Sequence, residues 1–246
     1  MGVDAEVTEL KNTEEALRLS NRELEAFSYS VSHDLRSPLA VIDGFSRAVL
    51  QKYGDKMDPE SRSYLDRVRA RTIEMAQLIE DLLSLARVMR TEIRYETVDL
   101  ALSARRVIED CRNRDPQRQV EVDIQEPLVV RGDQRLLVLV LENLIGNAWK
   151  FTSKLPVAHI SVGSLAGPDR QTVYFIKDDG AGFDMAYSDK LFGTFQRLHA
   201  VTDFPGSGVG LATMQSIISR HGGRVWAESK LGQGATFFFV LGNKAS

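Results

Sequence analysis

The chain has 246 residues, of which 43% are hydrophobic and 26% charged, a composition typical of a soluble globular protein with one large or two ordinary domains. A net charge of −3 provides no basic surface for nucleic acid or an anionic membrane, and no apolar run approaches the roughly 20 residues that span a bilayer. The single cysteine, Cys111, excludes an internal disulfide, and the acidic N-terminus lacks a secretory signal core. These features favour a cytoplasmic location without direct membrane insertion.

The first ninety residues are predicted to be helical. Leucine or valine recurs every seven residues near the N-terminus, at Leu10, Leu17, Leu24 and Val31. The positions midway between them are mostly polar, which favours a partly polar coiled coil that can change register. A single solvated helix is the alternative interpretation of the same pattern.

A second long helix is predicted to start at Asp58-Pro59-Glu60, where a capping aspartate precedes proline at the first helical position. Its apolar residues alternate steps of three and four, as in a coiled-coil seam. The seam consists of Leu65, Val68, Thr72, Met75, Ile79, Leu82, Ala86 and Met89. The segment Gln51–Met57, with Gly54 as the breaker, would join the two helices into an antiparallel hairpin. One hairpin buries only a stripe, so we expect two copies to form a dimeric four-helix bundle.

After about Arg94 the sequence changes to short β-type runs alternating with helices, which predicts an α/β sandwich with a mixed sheet. The predicted strands are Val120–Ile124, His159–Val162, Val173–Lys177, Arg224–Glu228 and Thr236–Leu241. The predicted helices are Leu100–Arg112, Gln134–Phe151 and Leu211–His221. The aperiodic stretch Asp184–Ser207 is long enough to be a functional lid. We therefore predict a signalling helix over 1–25, a helical domain over 26–93 and an α/β domain over 94–246.

A histidine in the first helix has an unusual neighbourhood, Ser32-His33-Asp34-Leu35-Arg36-Ser37-Pro38-Leu39. Leu35, Leu39 and Ile42 mark a buried face, so His33 is expected to be exposed. Pro38 removes one helical hydrogen bond and is expected to bend the helix there. The adjacent Asp34 can accept a proton from one ring nitrogen, which leaves the other as a nucleophile toward phosphorus. A lone surface histidine remains the plainer alternative for this motif by itself.

Three further motifs combine polar side chains or glycines in patterns that suit ligand binding. Asn143, Asn147 and Lys150 share one helical face, where amide oxygens can bind Mg²⁺ and the ammonium can meet phosphate. Asp178-Asp179-Gly180-Ala181-Gly182 follows a strand, and a fixed carboxylate there can accept a hydrogen bond from an exocyclic amine. The loop Gly206-Ser207-Gly208-Val209-Gly210 opens the last helix and suits phosphate binding. Each has a plain alternative: a polar helix face, an acidic turn and an ordinary glycine loop.

Taken together and in this order, the motifs strongly resemble those of sensor histidine kinases of two-component signalling, in the group with phytochrome-like kinase modules. The resemblance runs from about Ala26 to Leu241 and implies a phosphoacceptor hairpin followed by an ATP-binding domain of the gyrase and histidine-kinase type. It implies His33 as phosphoacceptor, Asp34 as the neighbouring acid or base, Asn147 as the Mg²⁺ ligand and Asp178 on the adenine amine of ATP. Further nucleotide-binding residues implied are Asn143, Lys150, Phe151, Gly180, Gly182, Phe195, Arg197, Gly206, Ser207, Gly208, Gly210, Leu211 and Thr236.

The sequence departs from the family pattern at two positions. Asp179 stands where the family usually has asparagine, which leaves the adenine-reading position untouched. Ser37, four residues after His33, stands where threonine or asparagine is frequent in kinases that also act as phosphatases. Ser37 shares the helical face of His33 and is the candidate to hold a hydrolytic water, but its shorter hydroxyl leaves phosphatase activity an open question.

Two other function classes fit parts of the chain. An ATPase related to gyrase, mismatch-repair or chaperone proteins would share the α/β fold, but such enzymes have a glutamate where this chain has Asn143. A dimeric scaffold without activity would not need the intact motifs. The resemblance implies ATP and Mg²⁺ as cofactors. It implies a homodimer, a response-regulator receiver domain acting in trans, and an upstream sensor domain in the full-length protein as partners.

Overall fold

The structure is a computed structural model that describes residues 34–90, 92–168, 171–196, 204 and 206–242. The chain divides into two compact units, with the division between Ala86 and Arg87. The predicted signalling helix, the heptad from Leu10 to Val31 and His33 all lie outside the described residues. The domain boundaries at residues 25 and 93 stay predictions.

The first unit is a pair of helices. The described part of α1 covers residues 34–53, a short 3-10 turn follows at Gly54–Lys56, and α2 covers Pro59–Arg90. Asp58 caps α2 as the sequence predicts: its carboxylate accepts hydrogen bonds from the Ser61 main-chain N–H at 2.9 Å and the Ser61 hydroxyl at 2.6 Å. Ion pairs join the helices in antiparallel order, between Arg36 and Glu80 and, at 3.1 Å, between Arg69 and Asp43.

The apolar seam of this unit is only partly covered. Val68, Met75 and Leu82, which are spaced by seven residues, are 43%, 50% and 43% exposed, whereas the alternate positions of the seam are half-buried or, at Thr72, buried. On α1 only Leu39 of the predicted stripe is buried; Leu35 and Ile42 are exposed, which corrects the expectation for them. The physical reason is that one hairpin has no surface to cover a second apolar column.

The second unit is a mixed α/β sandwich. Its helices are α3 (Leu100–Arg114), α4 (Gln134–Phe151) and α5 (Gly210–Arg220), and a 3-10 helix lies at Met185–Lys190. Its strands are β1 (Glu96–Asp99), β2 (Val120–Ile124), β3 (Val129–Gly132), β4 (Ala158–Ala166), β5 (Thr172–Asp178), β6 (Arg224–Ser229) and β7 (Ala235–Val240). The five predicted strands are therefore confirmed, with β4 longer than expected, and β1 and β3 are additional.

The main sheet has the order β2-β4-β5-β7-β6, with β2 parallel to β4 and the remaining pairs antiparallel. Strands β1 and β3 form a separate antiparallel pair. The helices cover one face of the sheet, where the core includes fully buried Leu137, Leu144 and Ile145 of α4 and Ile217 of α5. Within the described part of the chain, no helix combines the length and apolarity needed to cross a membrane. The fold is thus the predicted one: a helical region followed by an α/β domain with a mixed sheet.

A buried polar network fixes the ends of α4 and α5. His221, which ends α5, is fully buried; its Nε2 accepts a hydrogen bond from the Asp133 main-chain N–H at 3.1 Å, and its Nδ1 lies 2.8 Å from the Ile217 carbonyl oxygen. The Asp133 carboxylate in turn caps α4 by accepting a hydrogen bond from the Leu136 N–H. It also accepts a hydrogen bond from the main-chain N–H of Arg94, in the segment that precedes β1. This network fixes the ends of both helices that reach the candidate site.

Candidate active site

The carboxylate of Asp178 is the chemical centre of the candidate site. It lies at the end of β5, is only 4% exposed, and accepts a hydrogen bond from the Gly180 N–H at 2.9 Å. Burial raises the pKa of Asp178 to about 6, against hydrogen bonds from Gly180 and Ala235 that act in the opposite direction. A buried carboxylate with so few partners is suited to accept hydrogen bonds from a ligand amine above that pH.

The loop after Asp178 lies against the end of α4 and the β6–β7 turn. The Ala181 N–H donates to the Phe151 carbonyl at 3.1 Å, and the Gly232 N–H donates to the Ala181 carbonyl at 2.7 Å. Gly182 has φ +58°, and a Cβ there would lie 2.1 Å from the Lys230 carbonyl oxygen. Only glycine fits at this position, because both the backbone conformation and the close approach exclude a side chain.

The polar face of α4 meets the glycine loop that opens α5. The Asn143 Nδ2 donates to the Leu139 carbonyl at 2.8 Å, which directs Oδ1 away from its own helix. A Cβ on Gly210 would lie 2.2 Å from that Oδ1, and one on Gly206 would lie 3.2 Å from the Lys150 Nζ. The structure therefore brings the polar face of α4 and the glycine loop Gly206–Gly210 together, with an amide oxygen and an ammonium facing that loop.

Two aromatic residues close the site at the C-terminal end of α4. The rings of Phe151 and Phe204 meet edge to face with centroids 5.0 Å apart, and the Lys150 ammonium lies 4.3 Å from the Phe151 centroid. Phe195, in the segment predicted to be a lid, is exposed and has φ +63°, a strained conformation for a residue with a side chain. Its N–H donates to the Gly208 carbonyl at 3.0 Å, which joins residue 195 to the glycine loop.

The register of the sheet corrects the expectation for Thr236. Thr236 is paired with Lys177 and lies on the outer face of the sheet, whereas Ala235 is the residue paired with Asp178. Side chains alternate between faces along a strand, so Ala235 and not Thr236 is the neighbour of the buried carboxylate. The prediction for Thr236 rests on the resemblance of Gly232-Gln233-Gly234-Ala235-Thr236 to a short glycine motif of the family, and such a match does not specify on which face of the sheet each residue lies.

The other predicted site residues are distributed as follows. Asn147 and Leu211 are half-buried on α4 and α5, and the Ser207 hydroxyl accepts a hydrogen bond from Val209 N–H at 3.3 Å. Asp34 and Ser37 are exposed on α1, in the other unit. His33 and Arg197 lie outside the described residues. In the α/β unit, the predicted residues that the structure brings together are therefore Asn143, Lys150, Phe151, Asp178, Gly180, Gly182, Phe195, Gly206, Gly208 and Gly210.

Sequence reasoning missed one polar cluster beside the site. Asp179 contacts His159, which in turn contacts Glu121, on the outer face of the sheet. None of the sequence motifs contains His159, so only the pairing of β4 with β5 could have revealed its position next to Asp179.

Comparison with known families identifies both units. Residues 23–90 match the His Kinase A (phospho-acceptor) domain, and residues 132–244 match the histidine kinase-, DNA gyrase B-, and HSP90-like ATPase domain. The chain is 33% identical to cyanobacterial phytochrome B of Nostoc sp. over 227 residues, covering 92% of this chain and 30% of that protein. It is 34% identical over 222 residues to the methanogenesis regulatory histidine kinase FilI of Methanothrix harundinacea, covering 90% of this chain and 25% of that protein. The chain thus spans less than a third of these relatives.

Solved structures agree with this assignment. Full-length ShkA, crystallised in complex with AMPPNP, superposes with a TM-score of 0.61 at 26% identity, covering 87% of this chain and 45% of ShkA. The Acinetobacter baumannii histidine kinase AdeS has a TM-score of 0.59 at 22% identity, covering 86% of this chain and 98% of that one, and supports the fold alone. The chain belongs to the sensor histidine kinases and carries their phosphoacceptor domain followed by their ATPase-type domain.

Proposed function

We propose that the chain autophosphorylates His33 with ATP and passes the phosphoryl group to an aspartate of a response regulator. The observation that carries this proposal is the buried Asp178 carboxylate, which accepts a hydrogen bond from Gly180 in the loop that follows it. The same unit contains the contact between α4 and the glycine loop Gly206–Gly210. A carboxylate that can accept a hydrogen bond from the adenine amine and a loop that can bind phosphate, both in one domain, fit the base and the phosphate ends of ATP.

The nucleotide would be held by groups with distinct roles. Asp178 accepts a hydrogen bond from the adenine amine, and Gly180 and Gly182 allow the base to approach the backbone. Lys150 and the N–H groups of the glycine loop bind phosphate oxygens. Lys150 already approaches Gly206 in the structure, which supports its assignment to the phosphate end.

Mg²⁺ would be held by Asn147, with Asn143 beside it. The donor set suits the ion, because Mg²⁺ takes oxygen ligands and retains much of its water. The orientation of Asn143, whose nitrogen donates to its own helix and whose oxygen faces the glycine loop, fits a site that presents oxygen atoms. When bound, the ion would neutralise phosphate charge.

In the phosphoryl step, the bond between the γ-phosphorus and the oxygen of ADP breaks and a bond to a ring nitrogen of His33 forms. Asp34 accepts the proton from the imidazole, and ADP leaves with the bonding electron pair. Such transfer depends on positioning and on charge neutralisation more than on covalent chemistry by the enzyme.

Asn143 favours transfer to the histidine over hydrolysis of ATP. Related ATPases have a glutamate at this position, where a carboxylate activates water. An amide is not a base, and the Nδ2 of Asn143 is engaged with the Leu139 carbonyl. The site therefore lacks the group that would make water the acceptor at this position.

The helical unit would act as a homodimer. Val68, Met75 and Leu82 form an exposed apolar column that a second hairpin would cover. The receiver domain of a response regulator and an upstream sensor domain are the further partners we propose, since the relatives are far longer than this chain. Because ATP and receiver domains are cytoplasmic, this portion would work in the cytoplasm.

Incubation with γ-labelled ATP tests the proposal. We expect label on the wild-type protein that is stable to base and lost in acid, as a phosphoramidate is. His33→Gln should bind nucleotide but carry no label. Asp178→Asn should neither bind nucleotide nor become labelled. Steady release of phosphate without labelled protein would point to an ATPase, and the absence of nucleotide binding by the wild type would point to a scaffold. Either result would overturn the proposal.

A further inference from the structure

The ladder between β4 and β5 ends in an unusual way. Its last main-chain pair is Ile160 with Asp178. One step beyond, the main-chain N–H of His159 donates to the side-chain Oδ1 of Asp179 at 2.9 Å, and the ring Nδ1 lies 2.8 Å from Oδ2 of the same carboxylate. The Asp179 side chain therefore takes the place of the next main-chain partner and fixes the chain as it leaves β5.

The second ring nitrogen of His159 also faces a carboxylate. Nε2 lies 3.0 Å from the Glu121 Oε2 on β2. Both ring nitrogens can donate a hydrogen bond only when the ring is protonated. The pKa of His159 is raised by its hydrogen bond to Asp179 and, to a smaller extent, by the negative charges of Asp179 and Glu121. Asp123 on β2 and Lys177 on β5 are the further charged groups that these strands present on the same face.

The cluster of Glu121, His159 and Asp179 lies on the face of the sheet opposite to the proposed nucleotide site. Asp178 and Asp179 are consecutive, and the Asp178 side chain points into the core while that of Asp179 lies on the outer face with His159. The negative charge of Asp179 raises the pKa of Asp178, adding to the larger effect of burial. A positive charge on His159 therefore opposes the effect of Asp179 on the carboxylate that faces the nucleotide.

We propose that His159 is a positioning residue for the nucleotide site: it holds the Asp179 side chain, fixes the backbone between Asp178 and Gly180, and screens the charge of Asp179 from the buried carboxylate. The inference rests on the proposed function of Asp178. His159 itself touches no nucleotide, since it lies on the opposite face of the sheet, and acts through Asp179.

Two substitutions that break the same side-chain contact should have opposite effects. His159→Gln removes the compensating positive charge, so protonation of Asp178 should weaken nucleotide binding at a higher pH than in the wild type. Asp179→Asn removes the negative charge while its amide oxygen still accepts from the His159 main-chain N–H, so binding should persist to a lower pH. Each midpoint should move by about 0.3 pH unit, as expected for charges interacting across several ångströms near water.

The experiment measures the dissociation constant of ADP by calorimetry on the whole chain, from pH 5 to pH 8 at constant ionic strength. Asp123→Asn is the matched control, because it removes one carboxylate from the same face without removing a contact to the His159 ring. Its profile should coincide with the wild type. ADP has its own phosphate titration, which is common to all variants and cancels in the comparison between them.

Shifts of opposite sign for His159→Gln and Asp179→Asn are the expected result. Shifts of the same sign would show a purely structural contact, and profiles that coincide with the wild type would show no role; either overturns the inference. Asp178→Asn separates this from failure of the proposed function. If that variant binds ADP as tightly as the wild type, the assignment of Asp178 is wrong; if it loses binding while the other profiles coincide, only the inference about His159 fails.

Discussion

The helical unit and the α/β unit bury their apolar residues to very different extents. In α4, Leu137, Leu144 and Ile145 are fully buried within the chain, whereas in α2, Met75 and Leu82 are 50% and 43% exposed. Both helices have strong apolar patterns in the sequence. The difference is that α4 has a sheet and two helices of its own chain to pack against, while the part of α2 that lies in the helical unit, up to Ala86, has one helix.

The two units are therefore expected to differ in what their folding stability depends on. The α/β unit has a complete core and is expected to fold as a unit by itself. The helical unit leaves an apolar column uncovered, so its stability is expected to depend on a second copy and thus on protein concentration.

The largest effect is expected from a charge in the uncovered column. Leu82→Glu should weaken dimerisation by about a hundredfold, or about 3 kcal/mol, because an unpaired carboxylate would be buried between the hairpins. Sedimentation velocity over a concentration series measures the change. Ala70→Glu, at an exposed position outside the seam of the same helix, is the control and should dimerise like the wild type. Equal dimerisation of both variants would contradict the proposed interface, and ADP binding should be unchanged in each.

In the α/β unit, His221→Ala should lower the free energy of unfolding by about 3 kcal/mol. The substitution leaves a cavity and removes the acceptor for the buried Asp133 N–H. Urea unfolding followed by tryptophan fluorescence reports on this unit alone, because Trp149 and Trp226 are the two tryptophans of the chain and both lie in it. Glu109→Ala, at an exposed position of α3, should change stability by less than about 0.5 kcal/mol. A dimer-dependent midpoint for this transition would contradict the independence of the unit.

Asp178→Asn should stabilise the nucleotide-free α/β unit while removing ADP binding. Burial raises the pKa of Asp178 from 3.8 to about 6, so the ionised carboxylate destabilises the fold above pH 6, and this cost disappears as the pH falls through 6 toward 4. The gain for the asparagine variant should therefore be about 2 kcal/mol at pH 8 and decrease toward pH 4. Urea unfolding at the two pH values measures it. A gain that is independent of pH would exclude ionisation of Asp178 as the cause.

The smallest effect concerns the start of α2. Asp58→Ala removes the cap that accepts hydrogen bonds from Ser61 and should cost the helical unit about 1 kcal/mol. Thermal unfolding followed by circular dichroism, at a fixed protein concentration, measures the cost. Asp66→Ala, at an exposed position inside the same helix, is the control and should have little effect. A loss of equal size in both variants would indicate a general charge effect and not capping.

The sequence predicted those elements whose determinants are local. The bounds of α4 agree with the predicted Gln134–Phe151, because an aspartate caps a long apolar helix. The strands β1 and β3 were missed, since each has four residues and charged or glycine neighbours in place of a clear alternating pattern. The exposure of Leu35 and Ile42 was not predictable either, because an apolar stripe indicates burial without saying which surface covers it.

The candidate site shows the same division. Asn143 and Gly210 belong to two motifs that the sequence displays, and the resemblance to histidine kinases assigns both motifs to one nucleotide. The outward position of Thr236 and the contact of His159 with Asp179 depend on strand register, which is a property of pairing across the sheet and not of any motif. The sequence thus indicates which residues share one face of a helix, but it does not indicate which strand residues meet across the sheet.

Mapping of the phosphorylated residue is the sharpest test of His33 as the phosphoacceptor. The chain contains four histidines, His33, His159, His199 and His221. After incubation with ATP and Mg²⁺, digestion at neutral to basic pH and fragmentation by electron transfer would preserve and locate a phosphohistidine. We expect phosphate on His33 and on none of the other three histidines. Phosphate on another residue, with His33 unmodified, would contradict it.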